Sequence, residues 1–124
     1  MIITVEQFEE IVAEAFDALP KNIKEKMYNV AIMTEDLPTD EQLGKLGNNE
    51  KYSLFGLYEG HIQSSRIYVG AVLPDKITLF RLPIMKSCDD ITAIKQRVAS
   101  TLKHEIAHHF GSDEKGARRA TTKN

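Results

Sequence analysis

Apolar residues near the start of the chain recur at the spacing of an amphipathic helix. Thr4 and Gln7 have the spacing of a capping box at the beginning of this helix, and Pro20 closes it. A second short helix is expected from Pro20 to Met27, because proline is well tolerated in a first helical turn. The apolar positions, three or four apart, predict one face turned toward a core. They are Val5, Phe8, Ile11, Val12, Ala15, Phe16 and Leu19.

Strand-like runs rich in β-branched and aromatic residues fill the middle of the chain. The segment from Glu35 to Glu50 contains Pro38, Gly44 and Gly47 and is predicted to be a long loop. Pro83 is expected to end the last strand. Short connections between the last three runs predict hairpins, and hence a mainly antiparallel sheet. The runs are Tyr28 to Met33, Tyr52 to Tyr58, Arg66 to Leu73 and Ile77 to Leu82.

A second helical stripe lies in the last third of the chain. Its start is predicted by the capping-box spacing of Ser87 and Asp90, and Gly111 has the position of a helix C-cap. The order helix, strands, helix predicts a single α+β domain over residues 1–124. The stripe consists of Ile91, Ile94, Val98, Leu102 and Ile106.

Composition and charge narrow the choice of function class. With 42% hydrophobic and 27% charged residues, the chain has the composition of a soluble globular domain. A net charge of −2 argues against a nucleic-acid binder that works by bulk positive charge. The only basic cluster is interpreted as a solvated tail; it consists of Lys115, Arg118, Arg119 and Lys123.

The cellular location is expected to be cytoplasmic. The lone Cys88 cannot form an intrachain disulfide, which fits a reducing compartment. The N-terminal residues have no signal-peptide pattern, and no apolar run is long enough to span a membrane. No membrane partner is therefore expected, and the oligomeric state is left open.

Candidate metal chemistry is concentrated in the stretch His104-Glu105-Ile106-Ala107-His108. Two histidines four residues apart on a helix project from the same face and can converge on one Zn²⁺. In this motif the glutamate does not bind the metal but acts as general base toward metal-activated water. Glu105 is therefore predicted to be catalytic, and His104 and His108 to be zinc ligands.

A catalytic zinc usually has a third protein ligand, and few residues after His108 can supply it. The acidic residues there are Asp113 and Glu114. A left-handed turn at Gly111 would bring one of them back toward the metal. His109 is about 100° around the helix from His108, and it is interpreted either as a group supporting the ligands or, preferably, as packed on the sheet.

The whole element, His-Glu-x-x-His-x-x-Gly-x-x-Glu, resembles the extended zinc-binding consensus of metzincins, in which the third ligand follows the glycine by three residues. That position belongs to Glu114, which we prefer over Asp113. No methionine follows Met85, however, so the Met-turn of metzincins is missing.

A closer resemblance is to the small bacterial zincin-like metallopeptidases, and it covers nearly the whole chain. It is carried by Gly56-Leu57-Tyr58-Glu59-Gly60, by Ile77-Thr78-Leu79-Phe80-Arg81-Leu82-Pro83-Ile84, and by the segment from His104 to Glu114. The family pattern usually has aspartate at the position of Glu114. The resemblance implies a minimal zincin fold with zinc-dependent peptidase chemistry and specifies no substrate.

Three functions are compatible with these patterns. The first is a zinc endopeptidase acting on a peptide or protein bound in extended form along a sheet edge. The second is a non-catalytic module in which zinc stabilises the domain or a protein contact, and the third is a hydrolase of a non-peptide amide. Candidates for stabilising an oxyanion are Tyr52, Tyr58, Tyr68 and Arg81, among which the sequence does not choose.

Overall fold

A computed structural model of the chain describes residues 2–47, 50–60, 75–115 and 118–122; residues 45, 111–115 and 118–122 are described by their backbone alone. The fold is α+β, as the order of the predicted elements implies. In chain order the elements are α1 (Val5–Asp17), α2 (Lys21–Lys26), β1 (Val30–Glu35), α3 (Asp40–Leu46), a 3-10 turn (Lys51–Ser53), β2 (Leu54–Glu59), β3 (Asp75–Phe80), α4 (Arg81–Lys86), α5 (Ile91–Lys115) and β4 (Arg118–Thr122).

The N-terminal helix α1 begins at the predicted capping box. Thr4 Oγ1 accepts a hydrogen bond from the backbone N–H of Gln7 at 3.0 Å, and Gln7 Oε1 accepts one from the N–H of Thr4 at 2.8 Å. These reciprocal bonds satisfy two backbone donors. The predicted short helix after Pro20 is present as α2.

The four strands form one sheet in the order β1-β3-β2-β4. Strand β2 runs antiparallel to both β3 and β4, in line with the predicted antiparallel character. Strand β1 runs parallel to β3, with Val30 opposite Asp75, a pairing that the expected hairpins did not include. The strand predicted from Arg66 to Leu73 lies outside the described residues.

The segment from Glu35 to Glu50 is not the long loop that its glycines and proline suggested. It contains α3, which begins at a second reciprocal capping box formed by Thr39 and Gln42. The helix ends at Gly47, whose φ of 68° is the left-handed conformation that glycine adopts without steric cost. Local capping therefore outweighed the helix-breaking composition.

Both boundaries around α4 differ from the predicted ones. Strand β3 ends at Phe80 rather than at Pro83, which lies in the first turn of α4, where its missing N–H removes no helical hydrogen bond. The capping box expected at Ser87 is also wrong. Asp90 caps α5, because its Oδ1 accepts from the N–H of Ala93 at 2.8 Å, whereas Ser87 Oγ donates to the carbonyl of Ile84.

The chain beyond His108 departs from the sequence expectation in two ways. Helix α5 does not end at Gly111 but continues to Lys115; a glycine inside a helix costs only about 1 kcal/mol relative to alanine and does not force a stop. The backbone of Arg118 and Arg119, which were expected in a tail, lies in β4, which pairs with β2. Backbone pairing with β2 gives this polar segment a place in the sheet.

Helices α1 and α5 pack against each other and against the sheet. Their apolar stripes meet Ile77 and Leu79, which share one face of β3 because strand side chains alternate. A smaller cluster joins α3 to the other face; it consists of Leu43, Leu54, Leu57 and Phe80. Within the described ranges, no helix has the length and apolar character of a membrane span.

Candidate metal centre

The C-terminal half of α5 lies unusually close to β2, and a glycine makes this approach possible. A Cβ atom added at Gly56 would stand 2.6 Å from Thr101 Cγ2 and 3.4 Å from Glu105 Cγ. The first distance is shorter than any real contact between such carbon atoms. The bare backbone at Gly56 therefore lets Glu105 and its neighbours on α5 lie directly against the sheet.

His104, Glu105 and His108 form a compact donor cluster on this part of α5. One potential ligand atom from each side chain lies within 4.8 Å of the other two. The two imidazole rings stand edge to face with centroids 4.4 Å apart. The helical spacing predicted this convergence, and the structure brings the three residues together.

The three side chains differ in their access to solvent. His104 is exposed, the side chain of His108 is 20% exposed, and Glu105 is fully buried against the sheet. The cluster is thus open on the side of His104 and closed on the side of β2. Glu105 therefore lies at the inner wall of the cluster.

Glu105 also orients one of the histidines. His108 Nδ1 lies 3.2 Å from Glu105 Oε1, and because a carboxylate accepts hydrogen bonds, the ring nitrogen is the donor. A proton on Nδ1 leaves the lone pair of Nε2 for a metal, which is the usual arrangement of a metal-binding histidine and its supporting carboxylate.

The donor set fits zinc. Two imidazoles are typical of catalytic zinc sites, in which a third protein ligand completes the set and one position stays open. Asp113 and Glu114 lie in the last turn of α5, and their side chains are outside the described residues. At about 100° per residue, a continuous helix places positions 113 and 114 roughly 160° and 100° around the axis from the two histidines.

Comparison with known families agrees with this geometry. The sequence model of the zincin-like metallopeptidases matches residues 27–121, which include β1, β2, β3 and the metal cluster on α5. The chain belongs to this family. As a family, these proteins are zinc-dependent metallopeptidases, and the His-Glu-His cluster of this chain could hold a metal ion. No curated protein matches the chain.

In this zincin-like chain, two of the candidates for stabilising an oxyanion have structural contacts instead. Arg81 Nε binds Asp36 Oδ1 at 2.8 Å, and an Arg81 terminal nitrogen donates to the carbonyl of Ile3 at 2.7 Å. The hydrogen bond from Arg81 to Asp36, together with the charge of the guanidinium, holds the pKa of Asp36 below its usual value. Tyr52 lies beneath the Lys86 ammonium, and Tyr68 is outside the described residues.

The third candidate, Tyr58, belongs to a polar cluster that sequence reasoning missed. Its hydroxyl donates to Asp75 Oδ2 at 2.6 Å, and His109 Nδ1 lies 3.0 Å from the same oxygen. His109 is thus packed on the sheet, as the preferred interpretation expected. Asp75 was not among the candidate residues, because no local sequence pattern relates position 75 to position 109.

Proposed function

We propose that the protein is a zinc-dependent endopeptidase in which Glu105 is the general base. The observation that carries the proposal is the cluster of His104, Glu105 and His108 on a helix that is buried on one side and open on the other. Membership in the zincin-like metallopeptidase family supports peptidase chemistry in general. The base and the endopeptidase activity are our inference.

Each residue has a distinct part in this mechanism. A zinc ion held there would polarise the substrate carbonyl and lower the pKa of a coordinated water to about 7. His104 and His108 would bind the metal through one imidazole nitrogen each. Glu105 would accept the proton of the attacking water and deliver it to the leaving amine. Its burial keeps the carboxylate in one orientation beside His108.

We propose Glu114 as the third ligand and keep Asp113 as the alternative. Neither position faces the histidines in a continuous helix, so metal binding would require α5 to end near Gly111. Glycine suits such a change, because it adopts the left-handed conformation without steric cost. Glu114→Ala should weaken zinc affinity and Asp113→Ala should leave it nearly unchanged, as measured by competition with a chelator; the reverse result would identify Asp113.

The substrate we propose is a peptide or protein bound in extended form. Strand β2 adjoins the cluster, since Gly56 lies against Glu105. Its outer edge pairs with β4 in the described part of the chain, so a peptide that adds to β2 would have to replace β4. Cleavage within long peptides, rather than only at their ends, would identify an endopeptidase.

The deciding experiment is Glu105→Gln, which keeps the shape of the side chain and removes the base. We expect near-normal zinc content, because Glu105 is not a ligand, and peptide hydrolysis lowered by about 10²–10⁴-fold. The assay needs a substrate found with casein or a peptide library, and His104→Ala is the control that loses zinc. Equal cleavage by Glu105→Gln and the wild type would refute the mechanism.

One alternative has an observation in its favour. The full burial of Glu105 and the pairing of β4 with β2 both suit a module in which zinc only stabilises the domain. Such a module would hold zinc with four protein ligands and cleave no peptide. An open fourth position, seen by X-ray absorption or in a zinc-loaded crystal structure, would exclude this alternative.

A further inference from the structure

A polar cluster that the proposed mechanism does not use lies behind the metal site. It consists of Tyr58 from β2, Asp75 from β3 and His109 from α5. Asp75 Oδ2 accepts from the Tyr58 hydroxyl at 2.6 Å and from His109 Nδ1 at 3.0 Å. The rings of Tyr58 and His109 meet edge to face with centroids 5.6 Å apart. Three elements are thus joined at one carboxylate oxygen.

The cluster lies where the apolar packing of α5 ends. The stripe of α5 is buried as far as Ile106. His109 follows Leu102 by seven residues and therefore continues the same face of the helix. Phe110, the next residue, is 45% exposed. His109 thus contacts the sheet beyond the last buried residue of the apolar stripe.

We propose that His109, held by Asp75 and Tyr58, is a positioning residue for the zinc site. Ile106 is the last buried apolar residue of the stripe, so the stripe alone does not hold the turn of His108 at its C-terminal side. Fixing position 109 on the sheet fixes the preceding peptide and hence the direction of the His108 ring. This proposal rests on the proposed zinc site and concerns the affinity of that site.

The expected effect is on metal affinity, because a ligand binds more weakly when its competent conformation is only partly populated. His109→Leu keeps a side chain of similar size on the sheet but removes the hydrogen bond to Asp75. Loss of a residue that supports metal ligands commonly weakens affinity by about tenfold or more, and we expect about tenfold here. The measurement is zinc affinity by competition with a chromophoric chelator, with no need for a substrate.

A conservative variant distinguishes the contribution of the hydrogen bond to zinc affinity from that of the packing of the ring. The amide nitrogen of asparagine can occupy the place of Nδ1, so His109→Asn should keep zinc affinity within about twofold of the wild type. Asp75→Ala removes the acceptor and should weaken binding as much as His109→Leu. The double variant should lose little more than Asp75→Ala alone, since the hydrogen bond from His109 ends on Asp75.

A matched control tests whether the effect is only a loss of stability. Ile94→Val removes one methyl group from a fully buried side chain at the other end of α5; it should lower thermal stability while leaving zinc affinity unchanged. The proposal is overturned if His109→Leu binds zinc like the wild type, if His109→Asn is as weak as His109→Leu, or if Ile94→Val weakens zinc binding equally. Should His109→Leu not fold, Asp75→Ala decides in its place. A wild-type protein that binds no zinc would instead refute the proposed function.

Discussion

The cluster of His104, Glu105 and His108 depends on a glycine, Gly56, in the neighbouring strand β2. Gly56 lets α5 approach β2 so closely that a methyl group there would collide with Thr101 and touch Glu105. The position of Glu105 therefore depends on residue 56 as well as on the helix. Glycine is required at this position by close approach rather than by backbone conformation.

Gly56→Ala should displace α5 from the sheet. We expect a loss of about 1–3 kcal/mol in the free energy of unfolding, the usual cost of forcing extra volume into a packed site. Zinc affinity and peptide hydrolysis should fall with it. Urea denaturation measures the first effect and chelator competition the second.

Gly44→Ala is the matched control. An added Cβ at Gly44, which lies within α3, would meet nothing within 4 Å. Alanine has the higher helix propensity, so this variant should be as stable as the wild type or more stable by up to about 1 kcal/mol. If both glycine variants behave alike, the close contact of α5 with β2 is not essential.

The residues of the site were predictable from the sequence only where the signal is local. His104, Glu105 and His108 lie within five positions on one helix, so spacing alone indicated their convergence. Gly56 and Asp75 were not found, because their contacts depend on the register of strands and on how α5 lies across them. No pattern within a short window contains that information.

Among the secondary-structure elements, β1 and α4 are joined by an ion pair. Asp36 directly follows β1 and Arg81 begins α4, and this guanidinium also holds the carbonyl of Ile3. The side chain of Asp36 is 52% exposed. Solvent screening therefore limits the contribution of the pair to less than about 1 kcal/mol.

Asp36→Asn should lower stability slightly at neutral pH, and the difference should vanish in acid. The folded protein holds the pKa of Asp36 below its usual value, chiefly through the hydrogen bond from Arg81. The contribution is therefore complete above the unfolded pKa of about 3.9 and is lost as pH falls through the lowered folded pKa. Urea denaturation between pH 3 and pH 7 measures it.

The control for this pair is Glu35→Gln, which removes a neighbouring charge from an exposed side chain at the end of β1. At neutral pH it should lower stability less than Asp36→Asn does, because the guanidinium of Arg81 binds the carboxylate of Asp36. A loss from Asp36→Asn that persists unchanged at pH 3 would show that the carboxylate is not the stabilising species.

Prediction of the elements succeeded where periodicity and capping agreed. Helix α1 shows both signals, whereas most of α5 was found from its periodicity although the predicted capping box was wrong. Helix α3 was missed although Thr39 and Gln42 have capping-box spacing, because Pro38 and Gly44 weighed against a helix. Strand β4 was missed for a different reason: its polar sequence has no strand pattern, and only pairing with β2 makes it a strand.

For the whole molecule, zinc should stabilise the folded state by mass action. A ligand that binds only the folded protein, at a concentration of 100 times Kd, adds about 2.7 kcal/mol. For a domain of 124 residues this corresponds to a rise of roughly 10 °C in Tm. Thermal unfolding with added zinc and with a chelator measures the shift.

His104→Ala is the control for this measurement, since it removes a proposed ligand whose side chain is exposed rather than part of the core. Its Tm should match that of the chelator-treated wild type and should not respond to zinc. A zinc-dependent rise of equal size in this variant would place the stabilising metal elsewhere.

The order of the strands in the sheet has a consequence for how quickly the chain folds. Strand β1 pairs with β3, which brings Val30 beside Asp75, and β2 pairs with β4, which brings Glu59 beside Arg118. The long stretch of chain between the paired strands must close into a loop, at a cost in chain entropy, before the pairing stabilises the fold. Helices α1 and α5 need only near neighbours and can form within about a microsecond. We therefore expect closure of the sheet to limit the folding rate, on a scale of roughly milliseconds or longer.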